Sequence, residues 1–325
     1  MRHLEVTAPG QIHLAVSDPP AVRTGEVLVT PVMAGLCATD LEIIDGTIDP
    51  AYVNYPVTLG HEFVVRVGDD LAVVEGIVPC GDCHECQRGH TNRCAVYDEV
   101  GFTRPGALAE ALVVPERLVH RLQPSVKVVD AVLCEPLAVT WRGLSHLHPT
   151  PGSDCLVIGD GTIGLLSALL LRQFSPASVT VVGRREEQRE LAYSVGVDTF
   201  LTTDTDARFD VIIEASGHPS AAQQVLHLTR RGAKILLLGL TPHESTVTWH
   251  PDDLVNGDIT LLGSFGYDQQ AFRDVVALLN QGTLTPGSLV THQFTLDEWE
   301  RAVATLRHTP AGEARGKVAL RIDAR

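Results

Sequence analysis

The chain has 325 residues, 44% of them hydrophobic, a length that favours two domains over one. It carries 40 acidic against 25 basic residues, and the net charge of −15 argues against nucleic acid or an anionic membrane as a partner. No apolar run approaches the length of a membrane span and the first residues lack an apolar signal core, so we expect a cytoplasmic protein.

Short strands separated by turns are predicted for the first part of the chain. Apolar residues alternate with polar ones over residues 12–16, and residues 26–29 form a second strand-like run. A segment that contains Cys37 then leads into residues 41–44, whose pattern is compatible with a helix. The sequence therefore predicts a β-rich beginning, with its first reactive side chain between a strand and a helix.

A second group of reactive residues follows at Gly60-His61-Glu62. A thiolate, an imidazole and a carboxylate are a natural ligand set for a zinc ion that keeps an open position, so Cys37, His61 and Glu62 are candidate ligands. A cysteine alone is more often a core residue, and a histidine alone is more often an ordinary surface or core side chain. The hypothesis depends on the three residue types occurring together.

Four further cysteines form one short cluster, Cys80-x-x-Cys83-x-x-Cys86-x7-Cys94. Four thiolates at these spacings can surround one tetrahedral zinc ion with no open position, which is the arrangement of a structural site. A redox pair would leave the remaining spacing unexplained, and the acidic charge disfavours a zinc ribbon that binds nucleic acid. The other two cysteines, Cys134 and Cys155, lie in apolar sequence, and we expect them to be inert core residues.

Residues 155–158 form an apolar strand that runs directly into Gly159-x-Gly161-x-x-Gly164, and residues 165–172 are helix-like. A strand, a glycine turn and a helix in that order form the phosphate-binding turn of a dinucleotide domain. The glycines permit, in order, the sharp turn, the approach of the backbone to a pyrophosphate and close packing of the helix on the strand, while the helix N-terminus attracts the anion. The predicted cofactor-binding residues of this turn are Gly159, Gly161, Thr162, Ile163 and Gly164.

Strand-like and helical segments alternate over residues 149–280, which predicts a parallel sheet with helices on both faces. The predicted strands are residues 179–182, 211–213, 235–238 and 260–262, and the predicted helices include residues 185–194 and 221–228. This dinucleotide domain is an insertion. Residues 1–148 and 281–325 must then form the other, β-rich domain, with the zinc lobe at residues 80–94.

The end of the second strand of this domain indicates the cofactor. Dinucleotide domains that prefer NAD usually place Asp or Glu there to bind the ribose 2′-hydroxyl. This chain has Gly183-Arg184-Arg185 instead, which removes a carboxylate and supplies two cations for a 2′-phosphate. A solvated basic helix start next to Glu186 and Glu187 is the alternative. We predict that Gly183, Arg184 and Arg185 bind the cofactor, with NADP preferred and NAD possible.

Together these motifs resemble the zinc-containing medium-chain dehydrogenases/reductases, the alcohol dehydrogenase-like superfamily. The likeness extends over essentially the whole length, to Gly263-Ser264-Phe265-Gly266, and Cys134-Glu135-Pro136-Leu137-Ala138 resembles the Glu-Pro-Leu-Ala segment of the polyol, glucose and threonine dehydrogenases. The resemblance implies an α/β fold in which a Rossmann domain with a doubly wound parallel sheet joins a β-rich, GroES-like catalytic domain. It also implies a homodimer or homotetramer.

The resemblance and the chemistry of the residues imply two zinc ions per chain. Cys37 and His61 would bind the catalytic zinc, with Glu62 as a third ligand and Glu135 exchanging with water as substrate enters. Whether Glu62 or Glu135 touches this zinc directly stays open, because the branch varies in its ligands. Asp40 would orient the His61 imidazole, since a metal-bound histidine usually donates its other N–H to a carboxylate.

The implied chemistry is hydride transfer between a carbinol carbon and nicotinamide, with zinc as the Lewis acid and Thr39 resembling the proton-relay hydroxyl of the family. We expect a polar secondary alcohol, of polyol, sugar or cyclitol type, and its carbonyl as substrates. Glucose 1-dehydrogenase-like and threonine dehydrogenase-like activities are alternatives, and a cofactor-binding relative without catalysis is the alternative from another class. Candidate substrate contacts are the loop of residues 45–55 and Phe102, Arg104, Trp141 and His292.

Overall fold

The computed structural model describes residues 1–242 and 244–322. It divides into two compact units. The first unit comprises residues 1–135 and 268–311 with the described residues from Lys317 on, and the second comprises residues 136–267 and 312–316. None of the helices in the described part of the chain combines the length and apolar character needed to cross a bilayer.

The strands of the described residues, in chain order, are β1 (Arg2–Ala8), β2 (Gln11–Val16), β3 (Glu26–Leu36), β4 (Val57–Thr58), β5 (Glu62–Val67), β6 (Asp70–Val74), β7 (Leu112–Pro115), β8 (Val119–Arg121), β9 (Asp154–Ile158), β10 (Ser178–Val182), β11 (Thr199–Leu201), β12 (Phe209–Glu214), β13 (Thr229–Leu237), β14 (Thr260–Gly263), β15 (Val290–Thr295) and β16 (Lys317–Arg321). The helices are α1 (Ala38–Asp45), α2 (His84–Gln87), α3 (Val128–Ala131), α4 (Cys134–Leu147), α5 (Thr162–Leu171), α6 (Arg189–Ser194), α7 (Pro219–Gln224), α8 (Pro251–Gly257), α9 (Gln269–Asn280) and α10 (Trp299–Arg307).

The first unit is β-rich, as its sequence predicts. Strands β2, β1 and β4 form a small sheet, and a larger sheet has the order β15-β16-β3-β5-β6-β8, with β7 pairing the beginning of β3. Within the larger sheet, Gly35 of β3 lies opposite both Glu62 of β5 and Ala319 of β16. This register brings the end of β3, the beginning of β5 and the beginning of β16 together at one end of the sheet.

The second unit contains a parallel sheet of order β11-β10-β9-β12-β13-β14. That order is the doubly wound arrangement of dinucleotide-binding domains. The apolar strands pack their side chains into the unit's own core, where Leu156, Ile212 and Ile235 are fully buried. The predicted fold class is therefore confirmed for the dinucleotide domain.

Both boundaries between the units lie earlier in the chain than the predicted domain limits. The second unit begins at residue 136 and its main segment ends at residue 267, whereas the predicted limits are residues 149 and 280. Most of α4 lies in the second unit, where Gly143 packs against Leu236, and α9 lies in the first unit, where Phe272 packs against His120 with ring centroids 5.3 Å apart. A turn such as the proline-rich segment after α4 marks the end of a helix. Whether that helix belongs to the first or the second unit depends on which residues it packs against. The sequence pattern does not contain that information.

The helix predicted for residues 185–194 begins later than expected. Residues Glu186–Gln188 form a single 3₁₀ turn, and the α-helix starts at Arg189. The backbone N–H groups of Arg184 and Arg185 donate to the Asp160 carboxylate at 2.9 and 3.1 Å, which holds this segment in an extended conformation. Of the predicted helix at residues 221–228, the second half is likewise a 3₁₀ turn, Val225–Leu228.

Candidate active site and metal centres

Cys37, His61 and Glu62 converge where β3 ends and β5 begins. One ligand atom of each residue lies within 4.8 Å of those of the other two. His61 and Glu62 are buried and Cys37 is half-buried, which leaves one side of the group accessible. A thiolate, an imidazole and a carboxylate at this spacing fit a zinc ion that retains an open coordination position.

Asp40 is completely buried and supports this group from α1. Its Oδ2 accepts the Cys37 backbone N–H at 2.7 Å, and its Oδ1 lies 3.5 Å from His61 Nδ1. Burial is the largest single influence on the pKa of His61 and lowers it, but the charges and hydrogen bonds of Asp40 and Cys37 together outweigh burial and raise that pKa well above its ordinary value. Because Nδ1 faces Asp40, the other ring nitrogen of His61 is the one available to a metal.

Thr39 lies in the same turn as the cysteine ligand. Its hydroxyl oxygen is 3.7 Å from Cys37 Sγ, and its side chain is half-buried. A hydroxyl beside the metal-binding thiolate is in a position to exchange a proton with an oxygen held at the open coordination position.

Lys317 is a site residue that the sequence did not indicate. It is 3% exposed, and its Nζ lies 2.6 Å from Glu62 Oε1 and 2.5 Å from Oε2. Burial lowers the pKa of Lys317, but the charges of Glu62 and Cys37 outweigh burial and raise it. Lys317 therefore forms a buried ion pair with Glu62 and contacts the same carboxylate oxygens that a metal would use.

Replacing Lys317 with methionine should destabilise the fold, because it leaves the Glu62 carboxylate buried without its cation. Removing one partner of a buried ion pair costs about 3–5 kcal/mol. We expect the free energy of unfolding from urea titration to fall by that order. Arg321→Met at the exposed end of the same strand is the matched control and should change little. Equal losses from the two substitutions would contradict the ion-pair explanation.

Glu135 lies at the start of α4, outside the three-residue group, and its side chain is half-buried. Burial and the nearby charge of Glu62 raise the pKa of Glu135 to about 8. The structure thus places Glu62 in the metal group and Glu135 beside it as a carboxyl group that retains its proton near neutral pH.

Aromatic and acidic residues lie beside His61. The ring of Phe102 is 5.0 Å from that of His61, and Phe102 itself is buried in the core of the first unit. Glu99 is 8% exposed and accepts a hydrogen bond from the Tyr97 hydroxyl, and burial raises the pKa of Glu99. The predicted contact Arg104 instead binds Asp98 at 2.7 Å.

The four-cysteine cluster is a second group of side chains that could hold a metal ion. The sulfur atoms of Cys80, Cys83, Cys86 and Cys94 all lie within 4.8 Å of one another. The Cys83 sulfur accepts the Ala95 N–H at 3.5 Å, and backbone donors of Ala95 and Cys86 lower the pKa of Cys83 to about 6. Backbone donors aimed at closely spaced sulfurs stabilise thiolates, so the cluster fits a tetrahedral zinc ion with no open position.

The glycine turn follows β9 as its spacing predicts. Gly159 has φ of 120°, and a side chain at Gly164 would collide with the Gly159 carbonyl, so both positions require glycine. The backbone at Gly161 faces open space, and α5 begins directly after it with Thr162 and Ile163. An N-terminus of a ten-residue helix behind an open glycine fits a pyrophosphate.

The two arginines after β10 that we predict to bind the cofactor lie in different environments. Arg184 is exposed, whereas Arg185 donates from Nη2 to Asp160 Oδ1 at 2.7 Å. The prediction that both arginines face a 2′-phosphate did not anticipate Asp160, which occupies a variable position of the glycine motif. Glu186, the residue that favoured a solvated helix start, forms an ion pair with Arg189.

The two remaining cysteines, Cys134 and Cys155, are both buried, as predicted. Neither of these cysteines belongs to a group of metal-binding side chains among the described residues.

The predicted substrate contact Trp141 packs against Phe174 with ring centroids 5.8 Å apart, inside the second unit.

Comparisons with known proteins agree with this geometry. Residues 23–124 match the alcohol dehydrogenase GroES-like domain, and residues 162–281 match the zinc-binding dehydrogenase model. An L-threonine 3-dehydrogenase of Streptomyces avermitilis is 31% identical over 92% of this chain and 94% of its own, and an erythritol/L-threitol dehydrogenase of Mycolicibacterium smegmatis is 30% identical over 87% and 88%. A putative zinc-binding dehydrogenase of Sinorhizobium meliloti, solved with NADP, is 25% identical with a TM-score of 0.90 over 99% of both chains.

Proposed function

The chain belongs to the zinc-binding dehydrogenases with an alcohol dehydrogenase GroES-like domain, and from that membership we propose that it interconverts a polar secondary alcohol and its carbonyl compound. The observation that carries the proposal is the convergence of Cys37, His61 and Glu62 within 4.8 Å. An intact ligand group of this kind argues against a relative that has lost catalysis and only binds cofactor.

Each residue of the site has a definite part in this reaction. Zinc, when bound, supplies Lewis acidity to the substrate oxygen, and nicotinamide carries the hydride. Asp40 holds the His61 ring and the Cys37 backbone, which keeps both ligands oriented. Thr39 relays the proton that the alcohol loses on oxidation: its Oγ1 accepts that proton while the hydroxyl releases its own towards water, and reduction reverses the relay.

Replacing Thr39 with valine should lower turnover by roughly 10²–10⁴-fold, the usual loss when an acid–base group is removed. Valine keeps the shape of the side chain and removes only the hydroxyl. Thr39→Ser, which keeps the hydroxyl, is the matched control and should retain most of the activity. The measurement is steady-state kcat with zinc-loaded protein. A valine variant as fast as the parent would remove Thr39 from proton transfer.

A polyol or sugar is the substrate class that we propose. Relatives carry names such as D-arabinitol dehydrogenase 1 of Uromyces fabae, 28% identical over 93% of each chain, and the sorbitol dehydrogenase of Halalkalibacterium halodurans, 28% identical over 97% of each. The half-buried Tyr97 and buried Glu99 beside the site supply polar groups that bind additional hydroxyls.

The test is a screen of polyols, sugars, simple alcohols and L-threonine with NADP and NAD, followed by the absorbance of the reduced nicotinamide. We expect turnover with a polyol or sugar and loss of turnover after zinc is removed by a chelator. Turnover with L-threonine and with none of the polyols or sugars would refute the proposed substrate class. Binding of cofactor without turnover on any of these compounds would overturn the enzymatic proposal.

We also propose two zinc ions per chain and a preference for NADP. The two separate ligand groups support the zinc count. Glycine at position 183 and an exposed arginine at position 184 support the cofactor preference, since the strand-end residue itself carries no carboxylate and the nearby Asp160 carboxylate is paired with Arg185. The preference is tested by comparing kcat/KM for NADP and NAD, and a value for NAD equal to or above that for NADP would refute it.

A further inference from the structure

Asp160, the second residue of the glycine turn, points at the end of β10. It is 9% exposed. Its Oδ2 accepts the backbone N–H groups of Arg184 and Arg185, and its Oδ1 accepts Arg185 Nη2 at 2.7 Å. Arg185 also donates to the Asp160 carbonyl oxygen at 3.2 Å. One buried carboxylate therefore joins the phosphate-binding turn to the segment that recognises the adenine ribose.

The Asp160 side chain fills the space in front of Gly183. A Cβ atom at position 183 would lie 2.6 Å from both Cβ and Oδ2 of Asp160. The strand-end position at which NAD-binding domains carry an acid is thus closed to any side chain, unless Asp160 moves. Glycine at this position is therefore explained by the close approach of Asp160.

The charges at the strand end are consequently unequal. The positive charge of Arg185 is balanced by Asp160, which it contacts at 2.7 Å. Arg184 is exposed, and among the described residues only its backbone N–H makes a hydrogen bond. The neighbouring Glu186 does not neutralise Arg184, because both of its oxygens bind Arg189. Arg184 therefore retains its full charge towards solvent.

A third arginine reaches this place from the far end of the chain. Gln188 is completely buried, donates to the carbonyl oxygens of Asp160 at 2.5 Å and Arg315 at 2.9 Å, and accepts the Arg315 N–H at 2.7 Å. One amide side chain thus holds the backbone of Arg315 beside the glycine turn. The loop of residues 312–316 belongs to the second unit for this reason.

The Arg315 side chain is half-buried, and the described part of the chain does not satisfy all of its hydrogen-bond donors. Its Nε is buried and has no hydrogen-bond partner within residues 1–242 and 244–322. Burial and the positive charge of Arg185 lower the pKa of Arg315, and the negative charge of Asp160 raises it by less, so Arg315 has uncompensated positive charge beside it. A buried donor without a partner is costly, and an anion would compensate that cost.

We propose that Arg184 and Arg315 bind the 2′-phosphate of NADP, and that Arg185 is a positioning residue held by Asp160 rather than a phosphate ligand. The inference rests on the proposed function, in which the second unit binds a nicotinamide dinucleotide. It adds a phosphate ligand that lies far from the glycine motif in sequence, and it assigns different roles to two adjacent arginines.

The experiment uses calorimetric titration of the zinc-loaded, full-length protein with 2′,5′-ADP and with 5′-AMP, which differ only in the 2′-phosphate. Arg184→Ala and Arg315→Ala should each weaken 2′,5′-ADP roughly tenfold or more and leave 5′-AMP within about twofold. Arg315→Lys, which keeps the charge, should recover part of the loss. Arg208→Ala is the matched control, since Arg208 is exposed in the same unit and, within the described residues, its side chain donates only to the Thr229 carbonyl oxygen.

Arg185 has a different expected result. Arg185→Ala should weaken the binding of both nucleotides by similar factors and lower the melting temperature, because the segment after β10 loses its side-chain connection to Asp160 in the glycine turn. Arg185→Lys retains an ion pair and should restore both affinities. An Arg185→Ala variant that loses affinity for 2′,5′-ADP alone would overturn the division of roles, as would an Arg315→Ala variant that binds 5′-AMP normally and 2′,5′-ADP as tightly as the parent.

The same titrations distinguish a wrong NADP preference from a wrong role of Arg315. If the parent protein binds 2′,5′-ADP no more tightly than 5′-AMP, the NADP preference is refuted, and the phosphate site with it. If the parent discriminates in favour of 2′,5′-ADP but Arg315→Ala does not change the discrimination, the preference stands and only the role of Arg315 is refuted.

Discussion

Replacing Cys37 with serine should abolish turnover and leave both units folded. The thiolate is one of three ligand atoms that lie within 4.8 Å of one another, and serine is a poor substitute because its hydroxyl does not ionise at neutral pH. A metal acting as a Lewis acid supplies several kcal/mol of transition-state stabilisation, so its loss should lower kcat by roughly 10³-fold or more. Elemental analysis should show zinc falling from two ions per chain to one.

Cys155→Ala is the matched control for this substitution. Cys155 is buried, lies in the second unit and belongs to no metal-binding group in the described part of the chain, so the variant should keep both zinc ions and its turnover. Binding of 5′-AMP by the Cys37→Ser variant would show that the dinucleotide domain is intact. A fully active parent preparation that contains one zinc ion per chain would refute the two-site proposal.

Replacing Cys83 with serine should instead lower stability. The binding free energy of a structural zinc is part of the folding free energy, and the lobe of residues 80–94 has only short elements to hold it, α2 and the 3₁₀ turn Thr91–Arg93. A loss of several kcal/mol corresponds to a melting temperature lower by roughly 10 °C or more. The zinc that remains should be the catalytic one, so kcat per folded molecule should change little.

His84→Ala tests whether the effect of Cys83→Ser is specific to the metal. His84 is exposed in the same lobe and contacts Glu85 at 3.1 Å, and its loss should leave both zinc ions in place. If Cys83→Ser keeps two zinc ions and the melting temperature of the parent, the cluster of four cysteines is not a structural zinc site.

The motifs that could be predicted from the sequence are those built from neighbouring residues. The four cysteines and the glycine turn each lie within one short stretch, so their spacing alone indicates the geometry that the structure shows. The doubly wound sheet could be predicted from the alternation of strands and helices, and it is confirmed. Cys37 and His61 could be paired because each is part of a recognisable segment.

The residues that were missed have their partners far away in sequence. Lys317 lies 255 positions from Glu62, and a single lysine at the start of an apolar strand is a weak signal. Asp160 occupies a variable position of its motif, where a surface residue is the ordinary expectation. Arg315 lies in a loop 127 positions from Gln188, the residue that holds it, and nothing in its own segment indicates an anion.

By itself, the sequence determined the two kinds of domain, and it indicated the four-cysteine cluster and the glycine turn, because each depends on residue types at short, regular spacings. Only the tertiary structure decided which charges are neutralised. Lys317 reaches Glu62 because β3 lies between β5 and β16 in one register, and Arg185 is bound by Asp160 because β9 and β10 are adjacent parallel strands that end together. Ion pairs depend on distances of a few ångströms, and strand order sets those distances between residues that the chain separates widely.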